Sequence, residues 1–411
     1  HPDLGCRWSE SGLRTGLGMR DSAVSIAGSS LTGKTVHLVV TGGIAAVETV
    51  RLARELRRHG ASLAVTMTDE ATKIITPLAV GWATGSQVNV GWSSDLPGLE
   101  VPDIVVVAPA TRNTLSKISS GVMDDPAMMA ITAASGAGRP ILLVPSMHDD
   151  LFDDPVTQEL LATMRGMGHH VLTSPSEEGR RKQPLPEVIV RRVCHLANGD
   201  RSGLRDVAVF YGATSSNIDP VRVITNTSSG RTGFMVSDHL ERMGHNVTRV
   251  VGSTSTPHDH SGISARTPSD MIEAASLISS EAGPDVWVIA AAVLDFEPSS
   301  PSTEKISSKA ANATIDLSPA PRLIEHIREI SPESRVISFK LESGITEEEL
   351  IERARSHMQR AGTGAVVANL LEGLEGEGPR GYLVQGDSVR TLDAESDLCE
   401  AIDALILGWG S

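Results

Sequence analysis

Lysine is scarce in this chain, 7 residues against 29 arginines. Three of the seven, Lys305, Lys309 and Lys340, fall in EKISSK and SFKLES, near the ends of short β-branched runs. Compact ammonium groups at the carboxyl ends of parallel strands suit a triphosphate or carboxylate ligand. Upstream, GATSSNIDPVRVITNTSSGRTG (212–233) concentrates hydroxyls, glycines and an amide, with Asp219, Arg222 and Asn226 among them. Such a loop wraps phosphate with backbone and hydroxyl donors, and Arg222 grips a carboxylate or phosphate by two parallel bonds. Asp295 in AAAVLDFEP follows another apolar run and suits Mg²⁺ or ribose hydroxyls.

The amino-terminal half offers other groups. In TGGIAA, Gly42 and Gly43 let a ligand approach the backbone, and the next helix presents free N–H groups to an anion. The segment matches neither the dinucleotide fingerprint nor the P-loop, and a plain tight turn explains it equally well. APATRNT supplies Thr111, Asn113 and Thr114 at a strand end. Asp124 and Asp125 are either a catalytic carboxylate pair or the cap of the helix through Met128. In PSMHDDLFDDP, His148 directly follows a buried strand, as an acid/base or ligand-orienting group or as a cap.

These residues need parallel strands to position them. Both halves open with the same grammar: an apolar strand (36–40, 207–211), a loop of small residues, an amphipathic helix, then a second strand after Gly60 or Gly244. Further buried strands read at 103–111, 140–147, 285–293, 334–342 and 364–370, and a hairpin and a last helix close the chain. The expected fold is α/β: two doubly wound, Rossmann-like domains with mainly parallel sheets. The polar stretch 199–206 reads as the linker, giving a loose arm over 1–33 and domains over 34–199 and 200–411.

Composition narrows the function classes. The 411 residues are 40% hydrophobic and 21% charged with net charge −15, an ordinary soluble balance that argues against broad nucleic-acid binding. Aromatics at 3% disfavour base-stacking platforms. Cys6, Cys194 and Cys399 are too far apart for a zinc site or disulfide framework, which fits the cytoplasm. No apolar run is long enough to span a membrane, and residues 1–33 lack a secretory apolar core.

Taken in order, these motifs resemble the bifunctional coenzyme A biosynthesis family, in which phosphopantothenoylcysteine decarboxylase is fused to phosphopantothenate–cysteine ligase, and especially its archaeal form. TGGIAA, APATRNT, GVMDD and PSMH are similar to the flavin-binding decarboxylases. GATSSNIDPVRVITNTSSGRTG, AAAVLDF, EKISSK, SFKLES and VVAN follow the ligase order and spacing. The resemblance, over about residues 34–405, implies a flavodoxin-like flavoprotein domain followed by a ligase domain.

In the ligase half it implies that a nucleoside triphosphate, CTP rather than ATP, activates 4′-phosphopantothenate with Mg²⁺, and that cysteine attacks the acyl-nucleotidyl intermediate. Asn226 would hold that intermediate. Lys305 and Asp295 would contact the nucleotide, Phe339, Lys340 and Asn369 would line its site, and Gly212, Asp219, Arg222, Ser228, Ser229 and Gly230 would form the binding loop. In the other half, Gly42, Gly43, Ile44, Thr68, Thr111, Asn113 and Thr114 would bind FMN, with His148 beside the substrate. The family further implies a homo-oligomer, trimeric through the flavoprotein half and dimeric through the ligase half.

The chain departs from the pattern twice. Family decarboxylases carry a histidine shortly before the strand ending in APAT, whereas this chain has Asp95 at about that place and no histidine between His59 and His148. Either Asp95 or His148 takes that role, or the first half is a flavin-binding or oligomerisation module beside a working ligase. The bacterial lysines before VVAN are also missing, and Arg355 or Arg360 is the expected substitute.

Overall fold

In the first unit, apolar side chains alternate along the strands so that each strand feeds two cores. Val36, Leu38 and Val40 enter one face and Val39 the other; Ile104, Val106 and Ala108 oppose Val105 and Val107 in the same way. A strand buried on both faces requires helices above and below it. The structure, a computed structural model, describes residues 21, 23–92, 101–256, 261–281, 283–307, 314–374, 376 and 378–410. It divides into two compact units between Ala197 and Asn198.

The first unit runs β1 (Thr35–Val40), α1 (Thr49–Arg58), β2 (Ser62–Met67), α2 (Pro77–Thr84), β3 (Val88–Val90), β4 (Ile104–Ala110), α3 (Arg112–Ser120), α4 (Pro126–Gly136), β5 (Ile141–Pro145), α5 (Pro155–Gly166), β6 (His170–Val171) and α6 (Pro186–Ala197). Its sheet is parallel throughout, in the order β3-β2-β1-β4-β5-β6. Helices α1, α2 and α6 cover one face and α3, α4 and α5 the other. The order reverses between β1 and β4, and a doubly wound sheet opens its ligand crevice at that switch point.

Two local expectations change. TGGIAA does not run directly into an α-helix: a 3₁₀ stretch, Ile44–Glu48, intervenes before α1, and the Gly43 N–H is already bonded to Thr41. The helix that starts at the crevice is α3. The loose arm also needs correcting over residues 23–33 and Asp21. Leu31 is fully buried in the core, and the buried Asp21 carboxylate lies 3.0 Å from Arg54.

The second unit comprises β7 (Asp206–Tyr211), β8 (Ser215–Asp219), β9 (Arg222–Thr225), α7 (Arg231–Arg242), β10 (Asn246–Val251), β11 (Ile263–Ser264), α8 (Pro268–Glu281), β12 (Val286–Ile289), β13 (Phe296–Pro298), β14 (Leu317–Pro319), α9 (Leu323–Ile330), β15 (Arg335–Glu342), α10 (Glu347–Ala361), β16 (Ala365–Leu370), β17 (Gly381–Gln385), β18 (Ser388–Leu392) and α11 (Glu395–Gly408). The main sheet runs β11-β10-β7-β12-β15-β16-β17-β18, parallel except for β17, which pairs antiparallel with both its neighbours. Helices α7 and α11 cover one face, α8 and α9 the other, and α10 packs on β16 and β17. Two small antiparallel pairs, β8–β9 and β13–β14, stand outside this sheet.

Candidate active sites

The crevice of the first unit lies at the carboxyl ends of β1, β2 and β4. It is a cleft of about 440 Å³ lined by Thr41, Gly42, Thr68, Thr111, Asn113, Thr114 and Lys117, with Asp69, Glu70, Asp124 and Asp125 at its acidic side. Strand ends hold its hydroxyls in place. The Thr41 hydroxyl donates to the Pro109 carbonyl at 2.7 Å, and Thr111 caps α3 while its hydroxyl meets that of Thr114 at 2.9 Å. Thr68 caps the turn Asp69–Thr72 in the same manner. At Gly42 a side chain is excluded, because a Cβ there would lie 2.4 Å from the Glu70 Cβ.

Capped helix start, clustered hydroxyls and a backbone without side chain together suit a phosphate-bearing ligand of moderate size. Of the residues expected to bind a flavin, this cleft gathers Gly42, Thr68, Thr111, Asn113 and Thr114. Gly43 packs close to Pro109 and Thr111, whereas Ile44 is 78% exposed and is not a lining residue.

The acidic pair turns out to be structural. Asp125 caps α4 through Met128 N–H at 2.9 Å, and Lys117 bridges to Asp124 at 2.9 Å and to Asp125 at 3.4 Å. The hydrogen bond to Asp124 holds Lys117 above its ordinary pKa, and the same bond holds Asp124 below its own. His148 is exposed and lies outside the cleft lining. It heads the turn Asp149–Phe152 without a side-chain cap bond and pairs across from Arg180 in a two-residue antiparallel contact. Asp95 lies outside the described residues.

In the second unit, functional groups converge where β7 and β12 end. Gly212 continues β7 at φ +87°, and a Cβ there would press on the Ser253 carbonyl at 2.8 Å. Asn226 reaches the segment that follows β12: its amide donates to the carbonyls of Ala292 and Val293 at 3.1 and 3.2 Å. Thr214 ties the same corner, accepting from Leu294 N–H. Ser228 and Ser229 fold their hydroxyls onto Gly230 N–H and Arg231 N–H, at the start of α7. Asn226 is therefore part of the wall that also carries Asp295.

Next to it is a second cleft of about 240 Å³, lined by Asp295, Arg322, Phe339, His357 and Arg360 among apolar neighbours. Asp295 and Phe339 sit together there as expected. Of the two candidate arginines, Arg360 lines the cleft, whereas Arg355 bonds the Asp387 carbonyl. Arg322 and His357 were not foreseen. Neither has a sequence signal of its own, since each is an isolated polar residue beside or within a helix.

Four expected ligand-binding residues have other work. Asp219 is buried, and its carboxylate accepts from the N–H groups of Val221, Arg222 and Ile306 and from the Arg222 guanidinium. Burial would raise its pKa, but these backbone donors and Arg222 outweigh it and hold the carboxyl below its ordinary value. Arg222 thus serves Asp219 and the Ile306 carbonyl, and the two residues latch the β8–β9 turn to the segment bearing Lys305. Lys340 pairs with Glu342 at 2.8 Å instead of lining the cleft. Asn369 is buried and donates to the Arg380 carbonyl, locking β16 to β17. Lys305 is exposed, and Lys309 lies outside the described residues.

Comparison with known proteins accounts for both units. Residues 24–198 match the family model described as Flavoprotein, and residues 203–397 match the DNA/pantothenate metabolism flavoprotein C-terminal domain. The coenzyme A biosynthesis bifunctional protein CoaBC of Thermococcus kodakarensis is 37% identical over 370 residues, covering 88% of this chain and 91% of the relative. The chain belongs to this bifunctional family. The CoaBC protein of Methanocaldococcus jannaschii is 29% identical, covering 82% of this chain and 84% of its own. A crystal structure of the DNA/pantothenate metabolism flavoprotein from Streptococcus pneumoniae is 23% identical with a TM-score of 0.45, covering 50% of this chain and 99% of that one. As a CoaBC family member, this protein is an enzyme of coenzyme A biosynthesis with a flavoprotein half and a ligase half. Among the described residues, no helix is long and apolar enough to cross a membrane.

Proposed function

We propose that the second unit joins cysteine to 4′-phosphopantothenate at the expense of a nucleoside triphosphate, and that the first decarboxylates the product with FMN. The observation that carries the ligase reading is the wall where Asn226 is bonded to the strand end that leads into Asp295, beside a cleft holding Phe339, Arg322 and Arg360. The substrate carboxylate attacks the α-phosphorus and pyrophosphate leaves. Cysteine's amine then attacks the acyl carbon and the nucleoside monophosphate departs. The guanidinium groups of Arg322 and Arg360 offset phosphate charge, which Mg²⁺ accompanying the triphosphate further neutralises. The Asn226 side-chain oxygen faces the acyl intermediate while its amide keeps the loop in place, and the latched segment brings Lys305 to the phosphates. CTP is the favoured nucleotide.

The first cleft fits FMN in its chemistry: hydroxyl donors of Thr68, Thr111 and Thr114, the amide of Asn113 and the start of α3 would hold the phosphate and ring edges. FMN supplies the reversible oxidation of the substrate thiol that lets carbon dioxide leave. His148, with Arg180 opposite, would orient the substrate. Acidic charge, and buried Cys194 and Cys399 that form no disulfide among the described residues, support a cytoplasmic setting. Exposed Ile44, Val47 and Leu78 in one unit, and Val221, Val223 and Phe296 in the other, support homo-oligomeric contacts.

The test is a paired assay on the full chain. With 4′-phosphopantothenate, cysteine, Mg²⁺ and CTP or ATP, pyrophosphate is expected to appear first, followed by an equal amount of carbon dioxide. Absence of pyrophosphate release with both CTP and ATP overturns the ligase assignment. Pyrophosphate without carbon dioxide overturns the decarboxylase assignment.

A further inference from the structure

Among the described residues that line the second cleft, His357 is the one with a polar side-chain atom buried without a partner. Its Nε2 is shielded from solvent and has no hydrogen-bond partner among the described residues. A buried polar nitrogen without a partner is costly and calls for an explanation. The charged side chains around it come from several elements. Asp295 stands beyond β12, Arg322 and Glu325 at the start of α9, Lys340 and its partner Glu342 on β15, and Arg360 on α10 itself. The strand under α10, β16, carries no charged side chain. Three acids therefore sit within ion-pair or cleft distance of three bases, and the imidazole lies among them.

We propose, building on the ligase reading, that His357 contacts the bound triphosphate and that nucleotide binding takes up a proton at this imidazole. In the empty protein the ring is neutral at pH 7, because burial, and then the charges of Lys340 and Arg360, lower its pKa. A polyanion in the cleft reverses that balance. It masks the two cations, supplies an acceptor for Nε2–H, and favours the charged ring. The bound form therefore has the higher pKa, so affinity rises as pH falls from above the bound value toward the free one. A lysine in this position would hold its charge throughout and show no such dependence. Histidine makes the same site respond to pH near neutrality.

The experiment is calorimetric titration of the full chain with CTP and with ATP, both with Mg²⁺ and without the other substrates. It is run from pH 6 to pH 8 in two buffers of different ionisation enthalpy. His357→Gln supplies the baseline for protonation of the nucleotide itself, and His357→Lys supplies a permanent charge. Relative to His357→Gln, the native protein is expected to take up about half a proton or more and to bind at least about threefold tighter at pH 6 than at pH 8. His357→Lys is expected to bind with no such uptake. If the native protein and either variant take up the same number of protons, His357 is not the linked group and the proposal fails. If the native protein binds neither nucleotide at any pH, the ligase reading itself fails.

Discussion

At the scale of single residues, two positions separate the chemistry of the two units. Asn226 holds its loop against the carbonyls of Ala292 and Val293, and Asn226→Ala removes both those bonds together with the acyl contact proposed for it. Pyrophosphate release is expected to fall roughly 100-fold, the scale of losing one positioned polar group in a dry site, while the flavin absorbance of the protein stays unchanged. Unaltered turnover would show that Asn226 has no part in the reaction. Gly42→Ala is expected to do the opposite. Its new Cβ would lie 2.4 Å from Glu70, which forces the β1 and β2 loops apart. Overpacking of this kind costs about 1–3 kcal/mol, and it would be read as loss of bound flavin on gel filtration with pyrophosphate release intact. The loop glycines were legible in the sequence as close-approach positions. The partner that makes Gly42 obligatory, Glu70, is brought there only by the pairing of β1 with β2.

At the scale of elements, the β8–β9 hairpin shows what a motif reading leaves out. Asp219 and Arg222 have the types and spacing of ligand-binding residues, yet the turn between them closes on itself and spends both on Ile306. Type and spacing do not say which donor a folded chain delivers first. As a latch, the pair positions Lys305 indirectly. Asp219→Asn is expected to lower kcat/KM for the nucleotide by about tenfold through misplacement of that segment, with the larger change in KM; equal kcat/KM for the variant and the native protein would sever the latch from catalysis. Lys340 follows the same logic. Glu342, two residues along the strand and held below its ordinary pKa first by the hydrogen bond to Lys340, claims the ammonium before any ligand does. The positive charge of the cleft comes instead from Arg322 and Arg360, one beside α9 and one within α10.

At the scale of the molecule, the second unit is closed by a polar contact far apart in sequence. Asp403 on α11 receives Arg201 at 2.8 Å and His245 at 3.0 Å, gathering the start of the unit, the end of α7 and the last helix. Burial pushes the Asp403 carboxyl upward, but the hydrogen bonds from His245 and Arg201 prevail and hold it below its ordinary value. A carboxyl lowered in the folded state stabilises fully above its unfolded pKa and loses that contribution as pH falls through the folded one. Asp403→Ala leaves Arg201 and His245 without their acid and is expected to destabilise by about 3 kcal/mol. Thermal unfolding of the full chain at pH 7 and near pH 3 checks this: the deficit of the variant should shrink at the lower pH. A deficit that is equal at both pH values would contradict the assignment of Asp403 as the titrating group.

The alternation of Val36 to Val40 and of Ile104 to Val107, the glycine-marked turns and the repeated strand–loop–helix opening determined by themselves that the chain forms parallel sheets covered on both faces. Period and residue type are local properties, and they survive without knowledge of what packs against them. The ordered motifs likewise pointed to the two-part enzyme. Only the tertiary structure decided which charged groups remain for ligands. It consumed Asp124, Asp125, Asp219, Arg222, Lys340 and Asn369 in caps, latches and strand locks, and it placed Arg322 and His357 in the cleft. The physical reason is that a side chain's availability depends on every partner within hydrogen-bond reach, and in a parallel sheet those partners arrive from strands and helices dozens of residues away.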